Sequence, residues 1–324
     1  MTFVAKRLVI TLITLLLVSV LSFAAFRFIP GDAALVSLGI EAGEGQIEAL
    51  RAEMGLNKSF AEQYFSWLGK FLSGNLGNSS RFRGVSISEM LRDRLPVTFA
   101  LAGLSFLFII LIAIPASLIG VKKENSAFNH IITSLTALNI SLPGFFLGVL
   151  FIWIFGILFK LFVPGEFVSY RQNPAAFVGC LVFPSIAIAL PNSALLVKFL
   201  RPSIYSELRS DYVRTAKSKG AGRAYILRRH ALKNASLPAI TLLGMITGEI
   251  LSGSVVIEQV FGIPGIGKLL IASITARDYL MIETIVIYIA FVVVLANTLS
   301  DITLQIIDPR IRLGVCKANS YTEV

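Results

Sequence analysis

Long apolar runs, separated by short charged segments, dominate the pattern along this chain. They cover Leu8 to Ile29, Val97–Val121, Ile131–Phe162, Phe177–Leu200, Leu237–Phe261 and Met281–Ile307. A helix rises about 1.5 Å per residue and the hydrocarbon core is about 30 Å thick, so about 20 apolar residues make one span. The pattern predicts an all-α integral membrane protein with six transmembrane helices. Basic residues Lys6 and Arg7 precede the first run, as they would in a cleaved signal peptide. That run is about 22 residues long and further spans follow, so an uncleaved first helix is expected. The third run is longer than one span needs and contains Pro143-Gly144, which predicts a kink. Pro115, Pro184 and Pro191 also fall inside spans, where neighbouring helices shield the freed carbonyls.

The one long polar stretch runs from Pro30 to Pro96 and holds the aromatic residues Tyr64, Phe65, Trp67 and Phe71. Gln46 to Met54 reads as a short helix ending near Gly55, and Phe60 to Leu72 as another ending near Gly74. The predicted division is therefore an N-terminus and first helix (1–29) and a small extracytoplasmic insert (30–96). A five-helix core (97–308) with a polar loop at 201–236 follows, and then a polar tail (309–324). No internal repeat is evident, which weighs against transporter folds built from inverted repeats.

Composition agrees with the pattern. Of 324 residues, 55% are hydrophobic and 15% charged, against about a quarter charged in soluble domains. The formal net charge of +10 comes from basic residues at the ends of apolar runs and in one block, Lys198 to Lys233. That distribution belongs to loops under the positive-inside bias, not to a nucleic-acid surface. Lys6 and Arg7, Lys122 and Lys123, the Lys198–Lys233 block, and Arg310, Arg312 and Lys317 all fall on one face when six spans are counted. Both termini are thereby expected in the cytoplasm. Cys180 lies in an apolar run and Cys316 in the tail, which argues against a disulfide, and no C-x-x-C spacing suggests a metal. The two histidines, His130 and His230, are both placed near the basic face, with no carboxylate at helical spacing to form a metal or catalytic site.

The loop between the fourth and fifth spans is the most informative polar segment. Ser210 or Asp211 suits an N-cap, Gly220 suits the left-handed position after a helix, and Lys217 and Lys219 offset the negative helix end. Two to three turns of helix are expected, carrying Val213, Ala216 and other small groups. A second amphipathic segment with Ile226, Leu227, Ala231 and Leu232 leads back to the membrane. A short capped helix held off the bilayer, with small residues at its contact face, can dock in a groove of another protein; a solvated basic loop that only sets topology fits the composition equally well.

In the spans, Glu249 is an ionisable group near the middle of the fifth run, where it either lines a pore or hydrogen-bonds a neighbouring helix. Asp301 lies nearer the interface. Gly244, Gly248 and Ser252 recur every four residues and permit close helix contact, within the chain or with a partner. The stretch Gly262-Ile-Pro-Gly-Ile-Gly267-Lys268 satisfies part of a phosphate-binding loop, but Leu269 stands where Ser or Thr would ligate magnesium. A tight turn at the membrane interface is expected there instead.

The polar loop carries Asp211-Tyr-Val-Arg-Thr-Ala-Lys217, Gly220 and Arg229-His-Ala-Leu-Lys-Asn-Ala235. Before it stand Arg27-Phe-Ile-Pro-Gly-Asp32, Met54-Gly-Leu-Asn57, Gly74-Asn-Leu-Gly77, Arg94-Leu-Pro-Val-Thr98 and Ser141-Leu-Pro143. After it stand Glu258-Gln-Val-Phe261, Pro264-Gly-Ile-Gly267, Ala276-Arg-Asp-Tyr279 and Asp308-Pro-Arg-Ile-Arg312. In these motifs and their order the sequence resembles the B-type permease subunits of the oligopeptide, dipeptide and nickel ABC importer family. The importer motif Glu-Ala-Ala, three residues, then Gly falls on Arg214, Thr215, Ala216 and Gly220, without the leading Glu and first Ala, and the two loop segments look like the peptide and nickel branch.

The resemblance implies the type I permease fold of ABC importers and a pore subunit rather than an enzyme. It further implies that Asp211, Tyr212, Val213, Arg214, Thr215, Ala216, Lys217 and Gly220 form a coupling helix docked on a cytoplasmic ATPase. The implied partners are a second homologous permease, two ATPases, an extracytoplasmic substrate-binding protein and membrane lipid, with no nucleic acid. ATP and magnesium would be used by the partners, with no cofactor bound by this chain. A peptide solute is favoured over nickel, because imidazole ligands suit nickel and no histidine lies mid-span or in the outer loops. A self-sufficient secondary transporter or channel is the rival; an intramembrane enzyme lacks a Ser–His or paired-Asp arrangement.

Overall fold

The computed structural model describes residues 3–28, 43–53, 57–79, 85–124 and 126–307. Helix α1 (Phe3–Phe28) is apolar on all sides, and its outward residues, such as Leu21 at 67% exposure, present a surface suited to lipid. It packs against the last helix, α11 (Tyr279–Ile307). Arg7 forms an ion pair with Asp301, and the Thr11 and Thr298 hydroxyls are hydrogen-bonded at 2.8 Å. Residues rising along α1 thus meet residues falling along α11, so the start of the first helix and the end of the last share one face of the bundle. An even number of crossings lies between them. Asp301, expected only to lie near an interface, is the anion that receives Arg7.

In the polar stretch after α1, α2 spans Glu44–Glu53 and α3 spans Phe60–Leu72. Residues 54–56, where the first was expected to end, lie outside the described residues, as do Pro30 to Asp32 and 308–324. Helix α3 opens with a full capping box. Ser59 N–H donates to Glu62 Oε2 at 3.0 Å, while Glu62 N–H donates to Ser59 Oγ at 3.4 Å, satisfying two first-turn amides. Its inner face lays Tyr64 and Trp67 on the Phe23 ring of α1, each with centroids 5.5 Å away. Ser19 Oγ and Tyr64 Oη are hydrogen-bonded at 2.8 Å in the same contact.

Helix α4 covers Ile87–Lys122 and so begins ten residues before the expected boundary at Val97, with Pro96 and Pro115 inside it. The expected kinked third span is broken outright. Helix α5 (Ala127–Ser141) meets α6 (Gly144–Phe151), which runs on as the π-helical turn Ile152–Leu158, at an angle of 103°. Proline at position 143 cannot donate to α5 and holds Leu142 extended (ψ 127°), which ends one helix and starts the next. Helix α7 (Pro174–Leu208) contains Pro184, Pro191 and Pro202 and outlasts its apolar run by eight residues. The polar loop expected at 201–236 is correspondingly shorter, because α7 ends at Leu208 and α9 (Leu232–Phe261) begins at Leu232. Between them lie α8 (Asp211–Ser218) and the turn Arg223–Tyr225 with π-helical Ile226–Ala231. Helix α10 (Ile266–Ala276) completes the set.

Five of the described helices are long and apolar enough to cross a membrane, and the bent α5–α6 pair, taken as one broken span, makes six, in keeping with the even number of crossings that the α1–α11 contacts require. The core lies among α4, α7 and α9, where Leu101, Ile109, Leu181, Leu196, Ile246 and Ile257 are all buried. Lipid tails are as apolar as these side chains, so the helices are held by close van der Waals fit rather than by expulsion of water. The fit is tight where side chains are smallest. A Cβ on Gly148 of α6 would sit 3.1 Å from the Phe261 ring of α9.

Candidate functional site

Three places bear on function: a projecting helix, a bent hairpin at the opposite end, and a cavity at the broken span. The projecting helix is α8. Ser210 occupies its N-cap position, but the Oγ donates to Glu207 O at 2.6 Å instead of capping the first turn. Its other end is a complete Schellman motif. Gly220 N–H donates to Lys217 O at 2.9 Å and Ala221 N–H to Ala216 O at 3.1 Å, with Gly220 at φ +79°. No atom of the described residues lies within 4 Å of a Cβ built on Gly220, so backbone conformation alone calls for glycine.

Val213 is fully buried within this chain's own fold, and α8 packs on the π-helical turn whose Ile226 and Ala231 are also buried. The small apolar face expected to meet a partner is therefore the inner face. Asp211, Tyr212, Arg214, Thr215, Lys217 and Ser218 are the exposed residues of α8, and Ala216 is half-buried. Asp211 and Arg214 stand 3.7 Å apart, an exposed pair worth little to stability. Tyr212 Oη donates to Glu207 Oε2 at 2.5 Å, and Asn234 Nδ2 donates to the same oxygen at 3.4 Å. One carboxylate at the end of α7 thus ties the start of α8 to the start of α9. Burial, and then the bond to Glu207, pushes the Tyr212 phenol above its ordinary value. The His230 ring lies between Tyr212 and Tyr225, at 6.4 and 5.5 Å.

The bent hairpin joins the end of α9 to α10 at an angle of 84°. Gly262 ends α9 at φ +73°. The buried Glu258 carboxylate accepts from Thr98 Oγ1 at 2.7 Å and from Lys268 N–H at 3.1 Å, while Thr98 Oγ1 accepts from Ile266 N–H at 2.9 Å. The free amides at the start of α10, which in a phosphate-binding loop would face a phosphate, are held from inside the chain. Lys268 Nζ donates to Gly262 O at 2.9 Å. The glycines answer to crowding: a Cβ on Gly265 would lie 2.2 Å from Glu258 Cδ, and one on Gly267 2.4 Å from Val255 Cα. Nearby, Ser79 Oγ donates to Asp278, and a Cβ on Gly77 would lie 3.0 Å from Leu280. The segments Gly77–Ser79 and Asp278–Leu280, far apart in sequence, therefore meet.

The cavity measures 360 Å³ and opens where the third span breaks, lined by Pro143, Phe145, Ile188, Asn192 and Glu249 among others. Glu249, exposed on α9, faces this space. Gly244 and Gly248 lie on another face of α9, where added Cβ atoms would sit 2.7 Å from Ser300 and 3.3 Å from Val293 of α11. Both therefore serve packing within the chain. The Ser252 side chain lies outside the described residues.

Residues 1–102 match the family described as "Binding-prot-dependent transport system membrane comp, N-term", and residues 113–313 match "Binding-protein-dependent transport system inner membrane component". The chain belongs to this family of ABC importer permeases. It is a multi-pass inner-membrane permease subunit, and ATP hydrolysis belongs to separate ATPase subunits. A probable peptide ABC transporter permease protein of Sinorhizobium fredii is 32% identical over 310 residues, covering 96% of this chain and 99% of that one. The oligopeptide transport system permease protein AppB of Bacillus subtilis is 31% identical over 311 residues, covering 95% and 98%. Among solved structures, an inward-facing MetNI methionine ABC transporter is similar with a TM-score of 0.55 and 15% identity, over 68% of this chain and 96% of that one. At that identity the likeness is one of fold, and it agrees with a type I importer permease.

Proposed function

We propose that this permease passes short peptides inward through a pore that it forms with a second, homologous permease, powered by two cytoplasmic ATPases that dock on α8. The observation that carries the peptide reading is the match, over almost the whole chain, to relatives named for peptide transport. Docking on α8 is supported by its shape, a short helix closed by a Schellman turn with an exposed polar outer face. Through Glu207, a pull on α8 reaches α7 and α9 together, the helices that flank the Glu249 cavity. The basic clusters support placing α8 and both termini in the cytoplasm. A substrate-binding protein would then deliver solute at the other face, beside the α9–α10 hairpin and the insert. No cofactor is assigned to this chain; ATP and magnesium act on the ATPases.

The test is uptake by proteoliposomes holding this chain with its partner permease, ATPases and binding protein. Labelled di- to pentapeptides are compared with labelled nickel, with and without a chelator. Saturable, ATP-dependent peptide uptake is expected; saturable nickel uptake with no peptide uptake would overturn the assignment.

A further inference from the structure

Further along the helices that line the Glu249 cavity lies a second space that none of the family motifs touches. A second cavity of 270 Å³ is lined by Thr133 and Thr136 of α5 and by Lys198, Arg201 and Tyr205 of α7. Ile188, Asn192 and Leu195 line the first cavity, and Lys198, Arg201 and Tyr205 the second, at spacings of three and four that place all six on one face of α7. Thr133, Thr136 and Ile140 do the same on α5. The two cavities thus lie along a single α5–α7 seam, with an anionic group at one end and two cationic groups at the other.

The cationic end is built. Arg201 Nη2 donates to Asn129 Oδ1 at 2.6 Å and Nη1 to Thr133 Oγ1 at 3.1 Å. Its Nε is buried with no acceptor among the described residues. Gly120 makes the room, since a Cβ there would sit 3.0 Å from that Nε. The guanidinium is fixed at the seam, and exposed Lys198 stands one turn before it on α7.

The geometry points to a transit site for a zwitterion: Glu249 receives the free ammonium end of a short peptide, and Lys198 with Arg201 receives its free carboxylate. This rests on the reading of the chain as a peptide permease and specifies which peptides it passes. From Asn192, which lines the same cavity as Glu249, to Arg201 is nine residues, about 14 Å of helix. An extended peptide spans at most about 3.3–3.6 Å per residue, so about four residues cover that length. The apolar lining along it, Leu195 and Val197, sets no charge requirement on the side chains in transit.

The test measures equilibrium binding of labelled tetra-alanine to the assembled permease–ATPase complex without binding protein, beside its N-acetyl and C-amide forms. Each blocked form is expected to bind about tenfold more weakly than the free peptide, the loss of one charge-assisted contact. In Glu249→Gln the penalty for acetylation disappears while that for amidation stays; Lys198→Gln does the reverse in large part. This crossed pattern is one that general misfolding cannot produce. Equal weakening of all three peptides in each variant, or no preference for free ends in the unmodified complex, overturns the site and leaves peptide import standing. A phospholipid retained by the unmodified complex and lost in Lys198→Gln, without peptide selectivity, assigns the seam to lipid and overturns it equally. Failure of the complete system to import any peptide overturns the peptide reading as well.

Discussion

The two ends of helix α9 and its neighbours reuse one local device under opposite conditions. At the α9–α10 hairpin, Gly262 at φ +73° ends a helix, and at α8, Gly220 at φ +79° does the same. Around Gly262 the chain is packed solid: Gly165 Cα lies 3.2 Å from where a Cβ would be, and Gly265 and Gly267 admit no side chain at all. Around a Cβ on Gly220 none of the described residues comes within 4 Å. The hairpin uses its glycines to close on Glu258, leaving its amides satisfied from within. The α8 turn uses glycine only to stop a helix cleanly, and leaves the outer face of that helix to something outside the chain. An element packed this tightly is part of the scaffold; one this open is where a partner can be met.

The largest expected effect lies at the hairpin. Gly265→Val drives a branched side chain into the buried Glu258 carboxylate and separates it from Thr98 and Lys268. The loss should be about 3 kcal/mol or more, from overpacking together with a buried polar group losing its partners. Monodisperse yield in detergent and the melting temperature should both fall sharply. Retention of wild-type melting would show the hairpin to be softer than its contacts imply.

Gly220→Val sharpens the contrast. The expected stability cost is only the strain of a left-handed residue, about 1–2 kcal/mol, with membrane insertion intact. Peptide uptake and ATPase co-purification should nevertheless be lost, because the Schellman turn sets where α8 points. Normal transport, or unfolding as severe as that of Gly265→Val, would break the comparison.

The smallest effect concerns pH at α8. Because the Tyr212 phenol is raised in the fold, its contribution is complete below the unfolded value of about 10 and is lost as pH rises through the folded value. Proteolysis at Lys217 and Lys219 should therefore accelerate above about pH 10 in the unmodified chain. Tyr212→Phe, at a cost of about 0.5 kcal/mol, should show no such rise. A rise of the same size in that variant would remove the Tyr212–Glu207 bond from the account.

Much of this was legible in the sequence because the signals were local. The run Phe60 to Leu72 was readable as a helix ending near Gly74, and the structure gives the same bounds. Gly220 was readable because a left-handed turn needs no knowledge of its surroundings. The direction of α8 was not readable: Val213 and Ala216 looked like a docking face, and burial of Val213 depends on the turn Ile226–Ala231 folding back beneath it. The severity of the break at Pro143 was also hidden. A proline signals a lost hydrogen bond but not whether neighbours restore the helix or let it turn through 103°.

By itself, the sequence determined the six apolar crossings, the helix ends written by Ser, Pro and Gly, and the family, all of which depend on residues near one another or on their order. Tertiary structure alone decided that Gly244 and Gly248 face α11, that Asp301 meets Arg7, that Gly265 makes way for Glu258, and that Glu249 shares a seam with Lys198 and Arg201. The reason lies in the solvent. In a soluble protein, water marks the buried face of a helix by its apolar stripe, whereas a bilayer favours apolar residues on every side. Which face of each span meets which neighbour is then settled by shape and by a few polar contacts across space, and these appear only once the chain is folded.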